Sequence, residues 1–182
     1  DTASTTEDGS ETLGCDSTLK RGFTIRPTSN SQTSTDGDIT VSNQSQAYNT
    51  DASDYMTVSC TRTGPVSDVM AHTEQFQFEM PSGDFSQGKV YMKYQIVVTS
   101  ISGDLSDIDI TLTTGAGTIT DANNTANQAT ATANASLTAN TGFANLQVRF
   151  TADDTSTGGA INAAVRIYDI YYELEEKEGD DK

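Results

Sequence analysis

Hydrophobic and polar residues alternate along much of the chain, and this pattern predicts β-strands, because successive side chains of a strand point to opposite faces. The clearest one-sided strand contains Phe76, Phe78 and Met80, which alternate with Gln and Glu. Residues 89–99 are apolar on much of both faces, which predicts a central strand. Further alternation predicts strands over residues 108–112, 146–150 and 161–174, and weaker ones over 23–26, 39–41 and 55–60.

The order of these segments predicts an all-β fold. Clusters of Ser, Thr, Asn, Asp and Gly separate the strands, and helical periodicity is scarce. Residues 121–140 are rich in Ala, Asn and Thr and predict either a thin edge strand or a loop. We therefore expect a two-sheet antiparallel β-sandwich of the jelly-roll type over residues 15–174, between mobile polar tails at residues 1–14 and 175–182.

The apolar phase of the last predicted strand changes between Ile167 and Ile170. A regular strand cannot keep both residues on one face, so the change predicts a β-bulge or a strong local twist there. Asp169 sits at that step. If its carboxylate turns inward, it needs a cation or several hydrogen-bond donors. The alternatives to a bound cation are a bond to Arg166, bonds to backbone amides, or exposure of the carboxylate to solvent.

The charge of the chain narrows the classes of partner. The 182 residues contain 10 Lys and Arg against 26 Asp and Glu, a formal net charge of -16. This charge repels phosphate backbones and anionic headgroups, and no apolar run is long enough for a membrane span, so nucleic acid and membrane insertion are disfavoured. Divalent cations, neutral glycans and basic protein surfaces remain as possible partners. The alternative is that the acidic charge serves only to keep the protein soluble.

Several features predict a secreted or surface-displayed protein. The chain starts in a polar stretch without Met, as a processed product does, although an engineered start is the alternative. Cys15 and Cys60 are expected to form one disulfide, the alternative being two free thiols. Asn43, Asn123 and Asn134 begin sequons for N-glycosylation.

The search for catalytic motifs predicts no enzyme. His72 is the only histidine and is expected at the surface or at a strand end, so a two-histidine metal motif is excluded. No nucleophile elbow or phosphate-binding loop occurs. Glycoside hydrolysis needs only two carboxylates, but an abundance of acids is no evidence for it.

Two kinds of binding chemistry remain. Calcium prefers carboxylate and carbonyl oxygens, which makes Asp104, Asp107, Asp109 and Asp169 candidate ligands, although solvated acids are the more common case. Asp107 and Asp109 are predicted to share a strand face and to repel each other. Tyrosine rings offer flat faces for stacking on a sugar. The first candidates are Tyr168, Tyr171 and Tyr172, and the second are Tyr91 and Tyr94.

Three segments of the carboxyl-terminal half resemble jelly-roll carbohydrate-binding modules and galactose-binding-like domains. Residues 88–92 (Gly-Lys-Val-Tyr-Met) look like the family's strand after a Gly-x-x-Tyr turn, and residues 142–150 look like a strand that usually opens with Trp. Residues 165–174, with Ile-Tyr-Asp-Ile inside, are similar to its closing strand. The resemblance implies a jelly roll with a structural calcium and a glycan face, although Phe143 stands where Trp is usual and the chain has no Trp.

The sequence thus predicts a non-enzymatic extracellular module that mediates attachment, with calcium-supported glycan binding. The alternative is a self-assembling subunit of an extracellular filament, a surface layer or a virion coat, whose partners are other copies of itself. The long last strand favours this alternative, because it can pair across subunits.

Overall fold

The computed structural model describes residues 22–51, 53–63, 66–81, 85–102, 105–137, 142–154 and 160–176. The elements in chain order are β1 (Gly22–Ile25), β2 (Ser29–Thr35), β3 (Ile39–Ser42), the short 3-10 helix η1 (Gln44–Tyr48), β4 (Met56–Thr63), β5 (Val66–Gln77), β6 (Phe85–Ser102), β7 (Leu105–Thr114), β8 (Thr118–Asp121), β9 (Ala131–Leu137), β10 (Phe143–Asp154) and β11 (Ala160–Glu176).

The strands form two antiparallel sheets, which confirms the predicted β-sandwich. The first sheet has the order β3-β4-β11-β6-β9, with β1 also paired to β11, and the second has the order β2-β5-β10-β7-β8. The strands from β4 to β11 divide into two sets of four in a jelly-roll arrangement. β2 and β3 are additions at the sheet edges, and β1 pairs with the last part of β11 inside the first sheet. Of the tails predicted at residues 1–14 and 175–182, residues 1–14 and 177–182 lie outside the described residues. Glu175 and Glu176 belong to β11, so the tail prediction is wrong for these two residues.

Most predicted strands are present, and two are additional. The strand predicted around Phe76, Phe78 and Met80 has other bounds, since β5 begins at Val66 and ends at Gln77. β6 lies between β11 and β9, so the prediction of a central strand over residues 89–99 is confirmed. β9 is the thin strand predicted within residues 121–140, and it pairs with β6 as the last member of its sheet. The alternation did not predict β2 or β8, because β2 consists entirely of Ser, Asn, Gln and Thr, and β8 has a single apolar residue.

The core lies between the two sheets. Its largest fully buried side chains include Phe76 and Phe150 from the second sheet and Met92, Ile96 and Tyr172 from the first. Their strands present these residues at every second position, so one face of each strand is removed from water. Burial of this apolar surface is the main favourable contribution to the stability of the sandwich.

The predicted bulge in β11 is present. The pairing of β11 with β6 shifts register between Ile167 and Asp169, and Tyr168 is the additional residue. Ile161 to Ile167 are buried at every second position, and burial resumes at Ile170. The extra residue therefore restores the apolar phase and leaves both Tyr168 and Asp169 on the outward face of the sheet.

The bulge coincides with a break along one side of β11. β4 pairs with β11 as far as Ile167, opposite Met56, and β1 begins to pair at Tyr172, opposite Ile25. Between these positions β11 has β6 on its other side but no strand neighbour on this side among the described residues. The break opens the sheet at the point where the bulge turns two polar side chains outward.

Candidate functional site

Four tyrosines gather on the outward face of the first sheet, around the bulge. Tyr91 belongs to β6, Tyr168 and Tyr171 belong to β11, and Tyr55 immediately precedes β4. All four are partly exposed. We call this group the tyrosine face.

The four rings form two contacting pairs. The rings of Tyr91 and Tyr171 are stacked, with centroids 4.9 Å apart and an interplanar angle of 6°. The rings of Tyr55 and Tyr168 meet edge to face, with centroids 5.2 Å apart. Tyr91 and Tyr171 are directly opposite in the register of β6 and β11, which brings their rings together. Packing against a neighbour restricts each ring, so the face is partly preorganised.

Cationic side chains cover parts of these rings. The Arg166 guanidinium lies 4.8 Å from the Tyr55 ring centroid, and the Lys93 ammonium lies 5.6 Å from that of Tyr168. The Arg166 guanidinium and the Tyr168 hydroxyl both donate to the side-chain oxygen of Gln95, at 3.3 and 3.0 Å. These contacts hold the face in one arrangement and leave polar donors along it.

An ion pair fills the break beside the bulge. The Arg26 guanidinium donates to both carboxylate oxygens of Asp169, at 3.1 and 2.8 Å. This bond raises the pKa of Arg26, and its guanidinium also lies 5.4 Å from the Tyr171 ring centroid. The partner of Asp169 is therefore Arg26, which immediately follows β1, and not Arg166 as one alternative from the sequence had it. A two-point contact of this kind fixes both side chains.

Two clefts open on this outward face. The first, which we call the bulge cleft, has a volume of about 140 Å³ and is lined by Arg26, Asn49, Thr50, Asp51, Lys93, Tyr168 and Asp169. The second, the edge cleft, has a volume of about 240 Å³ and is lined by Gly88, Lys89, Tyr91, Ser136, Leu137, Glu173 and Glu175. Both combine an aromatic ring with charged and hydroxyl-bearing side chains, so each offers one ring surface and several hydrogen-bonding groups to a polar molecule.

The hydroxyls of Tyr91 and Tyr171 are neutral hydrogen-bonding groups. A hydrogen bond to the Glu173 carboxylate raises the pKa of Tyr91, and burial together with the charge of Glu173 raises that of Tyr171. Both phenols therefore stay protonated at neutral pH.

The structure separates the tyrosines that the sequence singled out. Tyr168 and Tyr171 lie on the tyrosine face, but Tyr172 is completely buried, so its predicted role as a ligand platform is wrong. Its ring stacks on that of Phe78 at 4.0 Å, and its hydroxyl donates to the carbonyl of Phe143. Tyr94 also belongs to the core. The bulge explains the difference, because it places Tyr172 on the apolar phase.

Sequence reasoning missed Arg26, Tyr55 and Lys93. Lys93 and Tyr91 share one parity of the predicted β6 strand, so their common face was readable from the alternation. Arg26 and Tyr55 are distant in sequence and reach the site only through the pairing of β1 and β4 with β11. No local signal marks that convergence.

The predicted calcium ligands do not converge. Asp169 lies on the first sheet, Asp107 and Asp109 lie on β7 of the second, and Asp104 lies outside the described residues. Burial and the adjacent Asp109 carboxylate raise the pKa of Asp107, which agrees with the predicted repulsion. Within the described ranges, no group of three or more acidic, His or Cys side chains is placed to hold a metal ion. Calcium binding stays a prediction.

The remaining predicted sites concern Cys60 and the sequons. Cys60 is buried, as its parity predicted, and its sulfur lies 3.6 Å from that of Met70. Burial raises the pKa of the Cys60 thiol to about 11. Cys15 lies outside the described residues, so the disulfide stays a prediction. The sequon residues Asn43, Asn123 and Asn134 are all exposed.

His72 is not at the surface or at a strand end, and that prediction is wrong. It lies within β5 on the core side and is completely buried together with Glu74, whose carboxylate is 2.9 Å from its Nε2 atom. Its Nδ1 atom is 2.7 Å from the hydroxyl of Thr35. The side chains of Asn30 and Gln44 donate to Glu74. This network joins β2, η1 and β5, and partners of this kind are what make buried polar groups tolerable.

Comparisons with known proteins add little. No family model and no curated protein matches the chain. Among solved structures, the chain is similar to that of TmCBM61 in complex with beta-1,4-galactotriose, with 12% identity and a TM-score of 0.37 over 79% of this chain and 86% of that chain. In the part of the chain that the structure describes, no helix is long and apolar enough to cross a membrane.

Proposed function

We propose that the protein is a non-catalytic module that binds glycans through the tyrosine face. The observation that carries this proposal is the grouping of four partly exposed tyrosines around two clefts on one side of a sheet. The apolar faces of a sugar ring pack on aromatic rings, while its hydroxyls need donors and acceptors at the rim. Here Arg26, Lys93 and Asp51 stand at that rim beside Tyr168.

The experiment is a glycan screen with purified protein, followed by calorimetry on the glycans that bind. Tyr168→Ala removes a ring from the bulge cleft and is expected to weaken binding about fivefold, since one aromatic contact contributes about 1 kcal/mol. Tyr168→Phe keeps the ring and should retain most of the affinity. Val69→Ala, at an exposed residue of the second sheet, is the matched control. A blank screen, or equal binding by the Tyr168→Ala and control variants, contradicts the proposal.

The proposal includes an extracellular or surface location. The three sequon asparagines are exposed, as a glycosylated residue must be, and this supports the location. Expression in a secreting eukaryotic host tests whether the sequons can be used: enzymatic removal of N-glycans should lower the mass of the product. A product with no N-glycan counts against this part of the proposal.

Assembly through β9 is a second candidate function. β9 (Ala131–Leu137) pairs with β6 and is the last strand of its sheet among the described residues, and it contains neither a charged residue nor Pro. Natural edge strands usually carry such features to prevent pairing between molecules. Light scattering with and without Thr132→Lys, at an exposed residue of β9, tests it: oligomers that this variant abolishes support assembly, and a monomer at every concentration contradicts it.

A further inference from the structure

We infer that the ligand of the tyrosine face is an extended, uncharged polysaccharide that lies along β6 and β11 and contacts both clefts at once. This inference rests on the proposed glycan binding and adds the shape and charge of the glycan. Three observations carry it: the alignment of the clefts along two paired strands, the stacked ring pair between them, and the charges that line each cleft.

The clefts lie in line along the same two strands. Three successive cross-strand pairs lead from one to the other: Glu173 opposite Lys89, Tyr171 opposite Tyr91, and Asp169 opposite Lys93. The first pair lines the edge cleft and the last lines the bulge cleft. Lys89 and Lys93 are four residues apart on β6, or about 13 Å along the strand. A single sugar ring cannot contact both ends.

The middle pair makes the surface continuous. The rings of Tyr91 and Tyr171 are nearly parallel, at 6°, and stand between the two clefts. Tyr91 lines the edge cleft, and Tyr171 lies against Arg26, which lines the bulge cleft. A chain of sugars that crosses this pair keeps contact with aromatic surface from one cleft to the other.

The charges of the clefts favour a neutral ligand. In the bulge cleft two cations, Arg26 and Lys93, stand against two anions, Asp51 and Asp169, so the lining has no net charge. In the edge cleft Lys89 stands against Glu173 and Glu175, which leaves a net charge of one negative unit. The chain as a whole carries a formal charge of -16. Neither the clefts nor the surrounding field attracts a polyanion.

The test compares ligand length and charge. Affinities are measured by calorimetry for cello-, xylo-, manno- and galacto-oligosaccharides of two and six units, and for oligogalacturonates of the same lengths as acidic probes. In at least one neutral series the hexamer should bind about tenfold more tightly than the dimer or better, because its contacts with the two clefts are joined in one molecule. Equal affinity for the two lengths overturns the extended ligand, and tighter binding of the oligogalacturonates overturns its neutrality.

Blocking each cleft separately completes the test. Ser136→Trp fills the edge cleft and Thr50→Trp fills the bulge cleft, and both residues are exposed. Each variant should bind the neutral hexamer about tenfold more weakly than the parent protein does. Its affinity for the hexamer should be no higher than its affinity for the dimer. Thr113→Trp, at an exposed residue of the second sheet, is the control, and melting temperatures establish that all variants fold.

The outcomes separate this inference from the proposed function. If only one blocking variant weakens hexamer binding, a single cleft is used and the extended ligand is wrong, while glycan binding stands. If the parent protein binds none of the named series, both the inference and the proposed function are wrong.

Discussion

Gly117 lies where the chain leaves no room for a side chain, and Gly117→Ala is therefore expected to destabilise the protein. The residue belongs to the turn between β7 and β8, which packs against β9. A Cβ atom added there would lie 2.5 Å from the carbonyl oxygen of Ser136 and 3.4 Å from a methyl carbon of Leu137. Real Cβ atoms essentially never approach another heavy atom within 3.0 Å, so either the turn or β9 must move.

Both parts are held in place. The Gly117 carbonyl accepts from the Thr114 backbone amide at 2.8 Å, and the Gly117 amide donates to the Thr114 hydroxyl at 2.8 Å. Ser136 is paired with Lys89 in the sheet. Overpacking costs about 1–3 kcal/mol, and a lost hydrogen bond costs about 1 kcal/mol more. For a chain of this length each kcal/mol lowers the melting temperature by roughly 2–4 °C, so a total cost of about 2–4 kcal/mol predicts a fall of roughly 4–16 °C.

The assay is thermal unfolding followed by circular dichroism, beside a matched glycine variant. Gly37→Ala is the control, because a Cβ atom there meets nothing within 4 Å, and it should leave the melting temperature unchanged or raise it slightly. If the Gly117→Ala and Gly37→Ala proteins melt within about 1 °C of each other, the inferred close packing of the turn on β9 is wrong.

Three further predictions concern the ionisation of Asp107, the buried network around Glu74 and the Cys15–Cys60 disulfide. Burial and the Asp109 carboxylate raise the pKa of Asp107, so the ionisation of Asp107 destabilises the folded state as the pH rises above about 4. Asp107→Asn should therefore raise the melting temperature near pH 7 but not near pH 3. Equal shifts of the melting temperature at both pH values would contradict this. Glu74→Ala leaves buried partners without their acceptor and should cost about 3 kcal/mol in urea unfolding, whereas a loss below about 1 kcal/mol would show that the network is dispensable. Non-reducing peptide mapping should recover a Cys15–Cys60 linked peptide, and alkylation of both cysteines without reductant would exclude the disulfide.

The strands and the bulge could be predicted from the sequence because both depend on local side-chain parity. Alternating burial requires alternating polarity, so β6, β7, β10 and β11 were readable from their residues alone, whereas only the end of β5 was predicted. The change of phase after Ile167 required an extra residue wherever the strand was paired. The polar strands β2 and β8 were not readable, because they bury too little apolar surface to leave a pattern.

The sequence by itself determined an acidic all-β sandwich with a bulge beside Asp169, and only the tertiary structure decided what surrounds that bulge. Arg26 reaches Asp169 across 143 positions of the chain because β1 and β4 pair with different stretches of β11. The same pairing places Tyr55 on Tyr168, and burial of His72 depends on polar partners from β2 and η1. Such contacts join distant segments, and periodicity records only which face a residue takes, not which residues meet it there.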